Sequence, residues 1–111
     1  MSDKPWKATE LAWLAGLLEG EGHFGYMSYT PRVDLWASDH DTIAKAAAIC
    51  GKKVRTRKPQ RQLWKAQYGF TACGRDAIGI MLTVFVLMGH RRRNAITTAV
   101  QRWRGRQGRL V

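Results

Sequence analysis

Leu14-Ala15-Gly16-Leu17-Leu18-Glu19-Gly20-Glu21-Gly22 is the stretch on which the reading of the whole chain turns. Leu11, Leu14, Leu17 and Leu18 recur at helical spacing, so one face of a helix over Glu10 to Glu19 suits a core. Ala12, Gly16 and Gly20 stand four apart on another face, beside Ala15. A glycine inside a helix costs about 1 kcal/mol relative to alanine. Two at this spacing either loosen the helix or smooth it so that another backbone comes close. The second reading is preferred, with Ala12, Ala15, Gly16, Glu19 and Gly20 facing a partner helix. Glu19 and Glu21 then fall where the helix macrodipole is negative and carboxylates are disfavoured. Either Gly20 and Gly22 make a C-cap and turn with solvated glutamates, or the acids hold a divalent cation. Mg²⁺ takes oxygen ligands, one or two of them carboxylates.

Ahead of this segment, Pro5 suits a helix start and Thr9 can cap it. Behind it, His23, Gly25, Met27 and Tyr29 alternate with Phe24, Tyr26 and Ser28, and a turn is expected at Thr30-Pro31. Arg32, Asp34, Trp36 and Ser38 then alternate with Val33, Leu35 and Ala37, a half-buried strand pattern. Asp39 reads as an N-cap for an alanine-rich helix over Asp41 to Ile49 that Gly51 ends. The pattern then repeats. Lys53, Arg55 and Arg57 alternate with Val54 and Thr56, Pro59 turns the chain, and Lys65 and Gln67 alternate with Trp64, Ala66, Tyr68 and Phe70. Gly74 opens a third helix, Gly89 breaks it, and a last helix runs from about Arg91 to Arg104. The expected fold is one α+β domain over residues 1–111, an antiparallel sheet with helices on one face and the other face exposed.

Nineteen Lys and Arg against eight Asp and Glu give a net charge of +11. Residues 1–41 carry three basic and seven acidic side chains, whereas residues 42–111 carry sixteen basic and one acidic, Asp76. A chain that gathers like charge in one part gains from an anionic partner, and nucleic acid is the leading one. No segment pairs a basic face with a broad apolar one, so no membrane partner is expected. At 111 residues the chain is too short for a multidomain enzyme. No run reaches 18 apolar residues and no signal-peptide core follows Met1, which reads as a soluble, intracellular protein. Cys50 and Cys73 have no zinc spacing and are both expected as small buried hydrophobes. His23, His40 and His90 fit no compact ligand motif, and no Ser-His-Asp arrangement is legible.

The opening stretch closely resembles the signature that names the LAGLIDADG homing endonucleases. Leu14, Ala15, Gly16, Leu17 and Gly22 stand in place; Leu18 replaces Ile, Gly20 replaces Ala, and Glu19 and Glu21 replace two aspartates. The resemblance extends to the element order, αββαββα with a trailing helix. It implies a homodimer, because the chain carries one copy of the signature, and a Mg²⁺-dependent endonuclease that makes a double-strand break in DNA. It implies that Glu21 and the Gly20 carbonyl hold metal, that Asp39 helps position water or metal, and that Arg91, in Met88-Gly89-His90-Arg91-Arg92-Arg93, steadies the scissile phosphate. Glu19 is more often structural in that family. A non-cleaving DNA-binding protein or an RNA-splicing protein of the same fold is the alternative.

The DNA-contacting residues expected on the exposed face and its rims follow from strand parity and charge. They are Met27, Tyr29, Arg32, Asp34, Trp36 and Ser38 in the first hairpin, then Lys53, Arg55, Arg57, Lys58 and Arg61, then Lys65 and Gln67, with Arg92 and Arg93 behind the third helix. A β-ribbon fits the major groove and Arg pairs with guanine edges. Each strand residue could equally be solvated surface. Residues 102–111, with Arg102, Arg104, Arg106 and Arg109, read as a basic tail on the phosphate backbone.

Overall fold

The computed structural model describes residues 6–58 and 65–110, the side chains of 107–110 excepted. The elements are α1 (Ala8–Glu21), β1 (Gly22–Met27), β2 (Thr30–Ala37), α2 (His40–Cys50), β3 (Arg55–Arg57), β4 (Gln67–Cys73), α3 (Gly74–Val84) and α4 (His90–Leu110). A 3₁₀ turn, Phe85–Leu87, joins the last two helices. The four strands form one antiparallel sheet in the order β1-β2-β4-β3.

Local chemistry explains the boundaries. α1 starts two residues earlier than the apolar spacing indicates. Lys7 is its N-cap, and the Lys7 backbone N–H donates to Glu10 Oε1 at 2.9 Å. Thr9 therefore lies inside the helix rather than capping it. At the other end the Gly22 N–H donates to the Leu18 carbonyl. A Cβ on Gly22 would sit 2.8 Å from both that oxygen and Leu18 Cδ2, so only glycine lets the chain leave α1 directly into β1. Asp39 caps α2: its Oδ1 accepts from the backbone N–H of Asp41 at 3.0 Å and of Thr42 at 3.4 Å. Gly51 closes α2 in the left-handed conformation.

The first hairpin turns at Ser28-Tyr29, not at Thr30-Pro31. Ser28 (φ 53) and Tyr29 (φ 63) both adopt left-handed backbone, and Met27 pairs with Thr30. Two central residues with positive φ match the right-handed twist of a hairpin. Pro31 sits inside β2 because the β2/β4 register begins only at Arg32↔Cys73, so its missing N–H interrupts no bond to β4. Lys53 precedes the three-residue β3 instead of opening it. The turn expected at Pro59 lies outside the described residues.

Register fixes the two faces. Phe24, Val33, Leu35, Phe70 and Ala72 point to one side and are buried. Against them pack Leu14 and Leu18 of α1, Ile43 and Ala47 of α2, Ala77, Ile80, Met81 and Val84 of α3, and Ile96 and Ala99 of α4. Each fully buried aliphatic side chain contributes about 1.5–3 kcal/mol. Among the described residues no apolar layer of helix packs on the other face of the sheet, which holds the side chains described next. α4 continues to Leu110 as helix, so the segment expected as a tail is ordered into α4 at least in its backbone.

Candidate functional site: a basic sheet face and the helix ends beside it

Cross-strand pairs place side chains on a common face. The rows of the open face are His23–Asp34–Thr71, Gly25–Arg32–Cys73, Trp36–Gly69–Arg55 and Gln67–Arg57, with Met27 opposite Thr30. The face therefore gathers Met27, Arg32, Asp34, Trp36, Arg55, Arg57 and Gln67. It also holds His23, which shares the parity of Met27, and Thr71 and Cys73, which extending the alternation of Gln67 to the end of β4 would have found. Cys73 is exposed, a correction to its expected burial: it is the last residue of β4 and shares the outward parity of Gln67. Cys50 is buried, which pushes its thiol up to about 11.

Two small networks order this face. Arg32 Nη2 donates to Asp34 Oδ1 at 3.3 Å, Arg32 Nη1 points to Met27 Sδ at 3.2 Å, and the Thr71 hydroxyl donates to the same Asp34 oxygen at 2.5 Å. Asp34 is thus held between a cation and a hydroxyl, and its charge does not stand alone on a basic surface. Beside it the Arg57 guanidinium lies over the Trp36 ring at 3.8 Å from the centroid. The ring in turn lies on Gly69, where an added Cβ would run into Trp36 and the Leu35 carbonyl. Trp36 Nε1 and Arg32 Nε are buried with no partner among the described residues. Both are donors that the packing of this face leaves unsatisfied.

Ser38, Lys53, Lys58 and Lys65 are exposed on the connections bordering the face, and Arg61 lies outside the described residues. Arg92 and Arg93 already have partners within the chain. Arg92 Nε donates to the Glu19 carbonyl at 3.2 Å. Arg93 Nη2 donates to the Val86 carbonyl at 2.8 Å and its guanidinium stands 5.6 Å from the Phe85 ring. Both tie α4 to its neighbours.

The helix ends converge at one end of the sheet. Gly22 pairs with Leu35, so the end of α1 and the start of α2 both adjoin the Leu35–Ala37 end of β2. The backbone N–H of Gly89, just before α4, donates to Glu19 Oε1 at 3.1 Å, which brings the start of α4 there too. Glu21 ends α1, Asp39 caps α2 and Arg91 lies in the first turn of α4; all three are exposed. Sequence spacing alone does not reveal the Glu19–Gly89 and Glu19–Arg92 ties, which join residues 70 and 73 positions apart.

The α1 stripe divides. Ala12, Gly16 and Gly20 are exposed, and a Cβ on Gly16 or Gly20 would meet nothing within 4 Å. Ala15 is not part of it: at 3% exposure it is buried by its own chain. Glu19 is half-buried and committed to α4.

No family model, curated protein or solved structure matches this chain.

A divalent cation fits part of that chemistry. A helix end leaves four carbonyls without intrahelical donors. Here Leu18 O accepts from Gly22 and Glu19 O from Arg92, and the Gly20 carbonyl and the exposed Glu21 carboxylate are further hard oxygens at this helix end. Among the described residues no three His, Cys, Asp or Glu side chains gather as a metal-ligand group. The end of α1 therefore offers one carboxylate and one carbonyl, a donor set that suits Mg²⁺ only when further oxygen ligands complete it. No helix among the described residues is long and apolar enough to cross a membrane.

Proposed function

We propose that this protein is a homing-type DNA endonuclease of the LAGLIDADG kind, acting as a homodimer that hydrolyses one phosphodiester in each strand. The observation that carries the proposal is a coincidence of place. Exposed Glu21, Asp39 and Arg91 share one end of a sheet whose open face presents Arg32, Arg55, Arg57 and Trp36. The signature helix leaves Ala12, Gly16 and Gly20 uncovered at the same time. Packing that stripe against its copy brings two α1 ends, hence two Glu21 carboxylates, to one axis between two basic sheets.

In this reading Glu21 Oε and the Gly20 carbonyl hold the metal. A divalent cation held there would supply Lewis-acid polarisation of phosphate and lower the pKa of water. Arg91 pairs its guanidinium with the non-bridging oxygens of the scissile phosphate, where charge grows in the transition state. Asp39 keeps Oδ1 on the α2 cap and offers Oδ2 to orient water. Arg55, Arg57 and Gln67 reach base edges, Arg to guanine and Gln to adenine. Lys53, Lys58 and Lys65 contact phosphate and set register without reading sequence.

The test incubates the purified protein with DNA carrying its own insertion locus, in Mg²⁺ and in EDTA. Expected is cutting in Mg²⁺ alone, lost in Glu21→Gln with binding retained, by a species of twice 12.6 kDa on gel filtration. Binding without cutting in any divalent metal favours a non-cleaving DNA-binding or RNA-splicing protein of this fold. A mass of one chain when bound to DNA overturns the dimer.

A further inference from the structure

The tip of the first hairpin is built at a cost that packing does not repay. Left-handed backbone is uncommon for any residue but glycine, and more so for a bulky one. Here it falls on Ser28 and Tyr29. Glycine or asparagine would make the same turn without strain, and the Tyr29 ring is 70% exposed, so it is not held there by the core. Strained residues persist where function uses them.

Among the described residues the ring has a cation against it. The Arg106 guanidinium lies over it, 4.7 Å from the centroid. Arg106 belongs to the far end of α4, a helix of 21 residues with no acidic side chain. That helix starts at the Glu19 tie, follows β1 and ends over the hairpin tip. Between α4 and β1 runs a groove of about 330 Å³, floored by Phe24 and Ala99 and rimmed by Asn94, Thr98 and Arg102. Arg102 and Arg106 stand one helical turn apart, so both lie along the same side of α4.

We propose that the hairpin tip and the C-terminal turns of α4 form a clamp for the phosphate backbone of duplex DNA, outside the base-reading face, with Tyr29 fixing Arg106. This rests on the nucleic-acid reading above and adds a second surface to it. A guanidinium held by an aromatic ring keeps its outer N–H donors for phosphate oxygens while losing less freedom on binding. The clamp carries no sequence information. Its contribution is affinity and salt dependence.

The test is fluorescence anisotropy of the full chain on two unrelated labelled duplexes of equal length, in EDTA, across a salt series, with a melt of each variant. Arg106→Ala and Tyr29→Gly are each expected to weaken both duplexes equally, by about three- to fivefold, and to lower the slope of log K against log salt by about 0.9. Tyr29→Phe keeps the ring and is expected to bind as the wild type. Tyr29→Gly is also expected to melt about 2–5 °C higher, since the strain is gone. Stability rising while affinity falls is the signature of the clamp. Wild-type slope in both variants, or a loss confined to one duplex, overturns the clamp alone. A wild-type protein that binds neither duplex at any salt overturns the nucleic-acid reading and the clamp with it.

Discussion

Removing the Glu19 side chain is expected to loosen the junction on which the helix ends depend. Glu19 Oε1 accepts the Gly89 N–H at 3.1 Å, directly before α4, so the carboxylate acts as a cap borrowed from another helix. Capping contributes about 1 kcal/mol, and a carboxylate beside a helix N-terminus adds about 0.3–1 kcal/mol. Against this, Oε2 is buried with no partner among the described residues, so its removal recovers some desolvation. The Arg92 bond goes to the Glu19 backbone and survives the substitution. Glu19→Ala should therefore cost about 1 kcal/mol, a fall in Tm of about 4–6 °C. Gly89→Ala is the matching perturbation. Its backbone φ is not in the left-handed region, and its new Cβ would meet Glu19 Oε1, the movable end of a side chain. Glu19 then swings away and the same cap is lost, for about the same 1 kcal/mol. Because both changes remove one interaction, the double variant should melt close to either single variant, a coupling of about 1 kcal/mol. Thermal melts of the four proteins measure it. Additive losses would show that Glu19 and Gly89 act independently, and the tie between α1 and α4 would have to be abandoned.

Other outcomes follow from the same structure. Gly69→Ala should cost about 1–3 kcal/mol by overpacking, and it should displace Trp36 and with it the Arg57 stack; a denaturant titration that finds it neutral would contradict the close contact. Cys73 should react with a thiol reagent in the native protein, while Cys50, buried and with its thiol pushed up to about 11, should react only on unfolding. The Lys52 ammonium, 2.6 Å from Asp76 Oδ2, holds that carboxyl below its usual range. A lowered folded pKa stabilises above the unfolded value of about 3.9 and is lost as pH falls through the folded one. Lys52→Met should thus cost stability at pH 7 and little at pH 2. The pair is partly exposed, so the difference stays below about 1 kcal/mol. Urea midpoints at the two pH values check it.

Much of this architecture is legible residue by residue. The alternation of Arg32, Asp34 and Trp36 with Val33 and Leu35 is a property of adjacent residues, and it assigns the two sheet faces without a structure. Asp39 and Gly51 announce α2 because capping is chemistry within a few residues. Pro31 reads locally as a turn, but the β2/β4 register lets a proline fit inside the strand. Cys73 departs from the usual burial of free cysteines because it stands at the outward parity of β4.

By itself the sequence determined the order of helices and strands, which face of each is apolar, and where the positive charge collects. Those follow from periodicity and composition, which act along the chain. Only the tertiary structure decided which polar groups are already engaged. Glu19 holds Gly89 and Arg92, Arg93 turns to Val86, Ala15 is sealed beneath its own core, and Tyr29 meets Arg106. Those partners lie far apart along the chain and meet only when whole elements pack, because hydrogen bonds and ring contacts act over a few ångströms in space, whatever the distance in sequence.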